Sequence, residues 1–132
     1  LFLGVLILLF ASCKKDNNPL IDDSNQLTGY WVDPVYQDSV LTLSRAESFQ
    51  EDGYGISFQA GQVFIERKNA VWCGTPPITY DNFEGSWAQT DSLIDITVAF
   101  WGGISYYQWE ILTLNENTLT VLKKFEIDQL NN

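Results

Sequence analysis

From Leu27 onward, apolar residues recur at every second position between turn signals, and no stretch holds helical apolar spacing for more than about two turns. Such a chain builds strands with one inward and one outward face. The pattern is clearest from Asp91 to Phe100, where Ile94, Ile96, Val98 and Phe100 point one way and Asp95 and Thr97 the other. It returns from Thr118 to Ile127, where Leu119, Val121, Phe125 and Ile127 share a face opposite Thr120, Lys124 and Glu126, with Leu122 and Lys123 as exceptions. Trp101-Gly102-Gly103 and Asn115-Glu116-Asn117 read as turns, so residues 91–127 are predicted to form a three-stranded meander. Earlier strands are predicted over Gly29 to Val32, Val35 to Leu43, Gly53 to Gln59, Gln62 to Trp72 and Thr79 to Gln89. Asp33-Pro34, Glu51-Asp52-Gly53 and Ala60-Gly61 mark the breaks, and Arg45 to Phe49 is a short helix or an irregular corner. About eight closely spaced strands suit an all-β fold, an antiparallel up-and-down β-barrel with a small β-sandwich as the alternative; a barrel leaves no exposed edge.

The chemistry open to this domain is narrowed by what it lacks. The chain has no His, which removes the usual neutral-pH general base and the commonest nitrogen ligand of zinc or copper. Phosphate-binding Gly-rich loops, calcium loops and Cys clusters are absent from the sequence, so no metal or cofactor is expected, and binding is expected in place of catalysis. With 17 Asp and Glu against 7 Lys and Arg, the chain should repel nucleic acid and anionic head groups.

The N-terminus carries a different signal. Leu1 to Phe10 is apolar apart from Gly4, shorter than the about 20 residues a membrane helix needs, and of a length that suits the hydrophobic region of a signal peptide with a basic stretch expected upstream. Phe10-Ala11-Ser12-Cys13 resembles the bacterial lipobox, which implies cleavage before Cys13 and a diacylglycerol on its thiol; a core helix ending in a buried Cys is the alternative. Residues 1–12 are then a signal peptide, 13–26 a lipidated Cys with a flexible acidic tether, and 27–132 the barrel domain. The expected location is the outer membrane, facing the periplasm or the cell exterior, with the lipid on Cys13 as the membrane attachment.

Gly29-Tyr30-Trp31 resembles the Gly-x-Trp that opens lipocalins, in which the Trp closes one barrel end near an Arg of the last strand; here the last strand offers Lys123 and Lys124. Leu27-Thr28-Gly29-Tyr30-Trp31, Asp52-Gly53, Gly85-Ser86-Trp87 and the closing Leu119-Thr120-Val121, together with the lipobox and acidic tether, resemble the small lipocalin-like lipoproteins of Bacteroidota over nearly the whole chain. The resemblance implies a barrel architecture and an envelope location.

Candidate sites follow from the aromatics and from one cysteine. Trp31, Trp87, Trp101, Tyr106, Tyr107 and Trp109 could line a cavity for a small apolar or glycan ligand, or fill a small barrel as core. Alternation sets Tyr106 on one face and Tyr107 with Trp109 on the other. The Trp72-Cys73 and Pro76-Pro77 loop (72–78), together with 101–103, could engage an envelope protein partner over a filled core, with the chain itself a monomer. Cys73 has no His and no second thiol to activate it, and reads as a reactive thiol or as a small buried hydrophobe. Glu66 and Glu110 are mid-strand acids that would have to converge in a cleft to work as a catalytic pair.

Overall fold

The computed structural model describes residues 25–70 and 78–131. They form a closed antiparallel barrel of eight strands: β1 (Gly29–Gln37), β2 (Val40–Ala46), β3 (Gly55–Gln59), β4 (Val63–Asn69), β5 (Tyr80–Thr90), β6 (Leu93–Phe100), β7 (Gly103–Leu114) and β8 (Thr118–Leu130). A 3-10 turn at Ala60–Gln62 joins β3 to β4. Closure rules out the sandwich.

Around the barrel the order is β1-β2-β8-β7-β6-β5-β4-β3, so the chain departs from a strict up-and-down meander in two pairings: β3 pairs with β1, not with β2, and β8 closes on β2, not on β1. The 47–54 connection therefore passes over the outer side of β1. There Phe49 meets outward-facing Tyr30 edge to face, ring centroids 4.9 Å apart. Gly55 permits that approach, because a Cβ on it would lie 2.9 Å from the Phe49 ring and 3.1 Å from the Trp31 carbonyl oxygen.

One predicted break and one predicted face change, for one physical reason. Asp33-Pro34, expected as a turn between strands, is a bulge within β1: pairing with β2 jumps from Val32↔Ser44 to Val35↔Thr42, and Asp33 takes φ 55. Proline, which cannot donate to a ladder, is tolerated at such a bulge. The turn falls instead at Asp38-Ser39, so the predicted Val35 to Leu43 strand is divided between β1 and β2, and Arg45 and Ala46 belong to the end of β2. On β8, Phe125 pairs with Gln108 and Lys123 with Trp109, which makes Lys124 an extra residue. That bulge reverses the alternation: Leu119, Val121 and Lys123 face inward, but beyond it Glu126 and Asp128 do, while Phe125 and Ile127, expected on the inner face, are exposed.

The apolar interior is built by Leu27, Trp31, Leu41, Leu43, Ile56, Phe58, Phe64, Trp87, Ile94, Ile96, Val98, Leu119 and Val121. Each such aliphatic or Phe side chain contributes roughly 1.5–3 kcal/mol by leaving water. Among the described residues no helix is long and apolar enough to cross a membrane.

Candidate functional site

The two barrel ends differ in chemistry. At one, Trp31 is fully buried, its Nε1 donates to the Leu27 carbonyl at 2.8 Å, and the Arg45 guanidinium lies 4.2 Å from its ring centroid. Arg45 also donates to the carbonyls of Thr28 (2.9 Å) and Glu116 (2.6 Å), tying the start of β1 to the β7–β8 turn. Gly29, at φ +132, leaves room for it: a Cβ there would sit 2.7 Å from Arg45 Nη1. The Trp-and-Arg closure implied by the lipocalin resemblance is thus present, with the arginine drawn from β2 and not from the last strand.

Toward the other end the inward positions become polar. Glu66 on β4 lies opposite Ile56, inside the barrel, and is 3 % exposed. Its carboxylate accepts from Tyr54 Oη (2.5 Å), Tyr107 Oη (2.8 Å) and Lys68 Nζ (2.7 Å). Burial, reinforced by the Glu66 charge, holds the Tyr54 and Tyr107 hydroxyls above the ordinary tyrosine range, so both remain protonated donors. Burial also raises Tyr36, against the opposing pull of Lys123. Tyr107 stacks on Trp109, centroids 5.5 Å apart and planes 6° from parallel. Trp109 Nε1 reaches Glu126 at 3.3 Å, and Glu126 pairs with Lys123 at 3.2 Å.

Above this layer a cleft of about 240 Å³ opens at the mouth. Phe100 and Trp101, at the β6–β7 turn, supply its aromatic lining; Lys68 and Asn69 come from β4, Ser105 and Tyr107 from β7, and Glu126 and Asp128 from β8. Ser105 Oγ donates to Asp128 Oδ1 at 2.7 Å. A shallower groove shares Trp101 and runs against Gly102 and Leu130. The cleft is smaller than the roughly 300–1,000 Å³ of drug-sized sites, and its carboxylates, amide, ammonium and hydroxyls suit a small polar molecule with one apolar face.

The six aromatics singled out from sequence are divided by the fold. Trp101, 48 % exposed, and Tyr107 meet in the cleft, and Trp109 lies beneath Tyr107. Trp31 and Trp87 are core, the latter donating from Nε1 to the Gln59 carbonyl at 3.0 Å and packing on Phe58. Tyr106 faces outward, as alternation requires. Glu66 and Glu110 do not converge: Glu110 pairs with Leu93 in register and reaches Lys124 at 3.8 Å on the outer surface, with the barrel wall between it and Glu66. Cys13, Trp72, Cys73, Pro76 and Pro77 lie outside the described residues, as do residues 1–24 that carry the signal peptide and most of the tether. Sequence reading missed Lys68, Ser105, Glu126 and Asp128. The available signal was the Lys123-Lys124 interruption of an otherwise regular strand, which marks the bulge that turns Glu126 and Asp128 inward. Among the described residues no group of three or more Cys, Asp and Glu is placed to hold a metal ion.

No family model, curated protein or solved structure matches this chain.

Proposed function

We propose that this protein is a lipid-anchored envelope lipoprotein whose barrel binds a small glycan-like ligand at its open mouth and catalyses no reaction. The observation that carries the binding reading is the cleft itself, where Trp101 and Phe100 line about 240 Å³ together with Asp128, Glu126, Ser105 and Asn69. An aromatic face beside hydrogen-bonding groups suits a sugar ring, which presents a C–H face and a rim of hydroxyls. Of the two ligand classes considered from sequence, the apolar one fits poorly, since it would strip water from the Glu126 and Asp128 carboxylates without supplying hydrogen bonds in its place. The cluster of buried apolar side chains below the polar layer supports a site at the mouth over one deep in the barrel. The lipobox supports anchoring through Cys13, with the domain monomeric and held at the outer membrane.

The test is a titration of the protein with a panel of monosaccharides and disaccharides, followed by tryptophan fluorescence. A saturable change that is lost in Trp101→Ala, with the thermal midpoint unmoved, is the expected result; no binding across the panel, or binding indifferent to Trp101→Ala, refutes the site. Expression of the complete gene product with Cys13→Ser should release the domain from the membrane fraction, and retention there would refute the anchor.

A second reading, docking of an envelope protein partner, is favoured by the outer face of β7 and β8. Ile104, Tyr106, Phe125 and Ile127 are neighbours there, 38–56 % exposed. Ile127→Asp would then abolish capture of a partner while leaving sugar binding intact.

A further inference from the structure

We infer that the cleft is selective for a ligand bearing a compact cation, a primary amine above all, so that an amino sugar fits it better than the neutral or N-acylated sugar of the same shape. The inference rests on the reading of the cleft as a ligand site and goes beyond it by naming the charge of the ligand.

The argument is one of charge balance among the inward groups at the mouth. The cations are Lys68 and Lys123. Lys68 is taken up by Glu66 at 2.7 Å and Lys123 by Glu126 at 3.2 Å. Asp128 is left: it accepts from the neutral Ser105 hydroxyl at 2.7 Å, and no cation of the described residues pairs with it. Asp81, which stands opposite Lys68 in register at the β5 rim, adds a further negative charge and has no cationic partner among those residues either. The mouth therefore carries more carboxylate than its own lysines balance, within a chain of formal charge -10.

The cleft lining also includes aromatic rings, and this fold already shows how such surfaces hold an ammonium. Lys68 Nζ stands 5.2 Å from the centroid of Phe83 and 5.9 Å from that of Phe100 while bonding to Glu66. A carboxylate on one side and ring faces on the other attract a cation from both directions. Asp128 lines the same cleft as Phe100 and Trp101, so carboxylate and aromatic rings are offered together there, with the ammonium to be supplied by the ligand. A charge-assisted bond to Asp128 exceeds a neutral one by about a factor of ten in affinity.

The experiment is isothermal titration of the protein with glucosamine, N-acetylglucosamine and glucose at mildly acidic pH, where the glucosamine amine is protonated. Glucosamine is expected to bind about tenfold more tightly than the other two, with added salt eroding that margin and Asp128→Asn abolishing it at an unchanged thermal midpoint. Trp101→Leu, a second variant that leaves β8 untouched, is expected to weaken glucosamine binding as well. Equal or tighter binding of the uncharged sugars overturns cation selectivity and leaves the glycan reading standing. A glucosamine preference that survives Asp128→Asn overturns the charge-balance assignment. Binding of none of the three overturns this inference and counts against the glycan reading with it.

Discussion

Replacing Glu66 by Leu tests whether the polar layer beneath the cleft is held by its hydrogen bonds. The substitution keeps approximate volume but withdraws the acceptor shared by Tyr54, Tyr107 and Lys68. Tyr107, 8 % exposed, is left with a buried hydroxyl lacking its carboxylate partner, a loss of about 2–3 kcal/mol. Tyr54 is only partly buried and loses about 1 kcal/mol by the same mechanism. Lys68 keeps a side chain 16 % exposed at the cleft and can turn toward water, so its lost pair adds about 1 kcal/mol and not the full cost of an isolated buried ion. The expected loss is about 4 kcal/mol, read as a lower urea midpoint at unchanged slope, with a thermal midpoint roughly 15 °C lower. Glu66→Gln, which retains a carbonyl acceptor, should lose only about 1–2 kcal/mol. The decisive variant is Glu66→Leu with Tyr54→Phe and Tyr107→Phe, which removes donors and acceptor together and should recover at least half of the loss. A single-variant loss under about 1 kcal/mol, or a triple variant as unstable as the single, refutes the reasoning.

The remaining expectations concern titration, the closed end and the glycines. Tyr54 and Tyr107 hold their protons in the folded state above the ordinary value near 10, so stability is intact below that pH and falls as pH rises beyond it, by up to about 1.4 kcal/mol per pH unit for each; alkaline denaturation followed with phenolate absorbance at each pH should show these two ionising only as the barrel opens. Arg45→Ala should lose about 2–4 kcal/mol, and Arg45→Lys should restore less than half in urea denaturation, because a point ammonium cannot serve both carbonyls and stack on Trp31. Gly85→Ala would place a Cβ 1.9 Å from the Thr97 carbonyl oxygen and 2.6 Å from Val98 Cα, forcing β5 off β6 at a cost of about 3 kcal/mol or more. Gly61→Ala meets nothing within 4 Å and should lose only about 1 kcal/mol, from its φ of +80 alone. Equal effects of the two glycine substitutions would contradict the packing argument.

What the sequence by itself determined is everything that depends on local period and turn chemistry. Alternation from Ile94 to Val98, and of Tyr107 and Trp109 against Tyr106, follows from the two-residue repeat of an extended backbone, and the structure keeps those faces. The turns at Trp101-Gly102 and Asn115 to Asn117 and the count of eight strands were legible for the same reason. Tertiary pairing alone decided the rest. A bulge adds one residue and thereby exchanges the two faces of everything beyond it, and whether it forms depends on how a partner strand's ladder is met, not on the strand's own pattern. That is why Phe125 and Ile127 read as core but face water, and why Asp33-Pro34 reads as a break but bends one continuous strand. Neighbourhood around the barrel is likewise non-local: only when β3 pairs with β1 and β4 with β5 does Glu66 come inside to meet Tyr107, far along the chain. The cleft belongs wholly to this second category, because Lys68, Ser105, Phe100 and Asp128 are brought to one mouth by strand order and register, which no local spacing encodes.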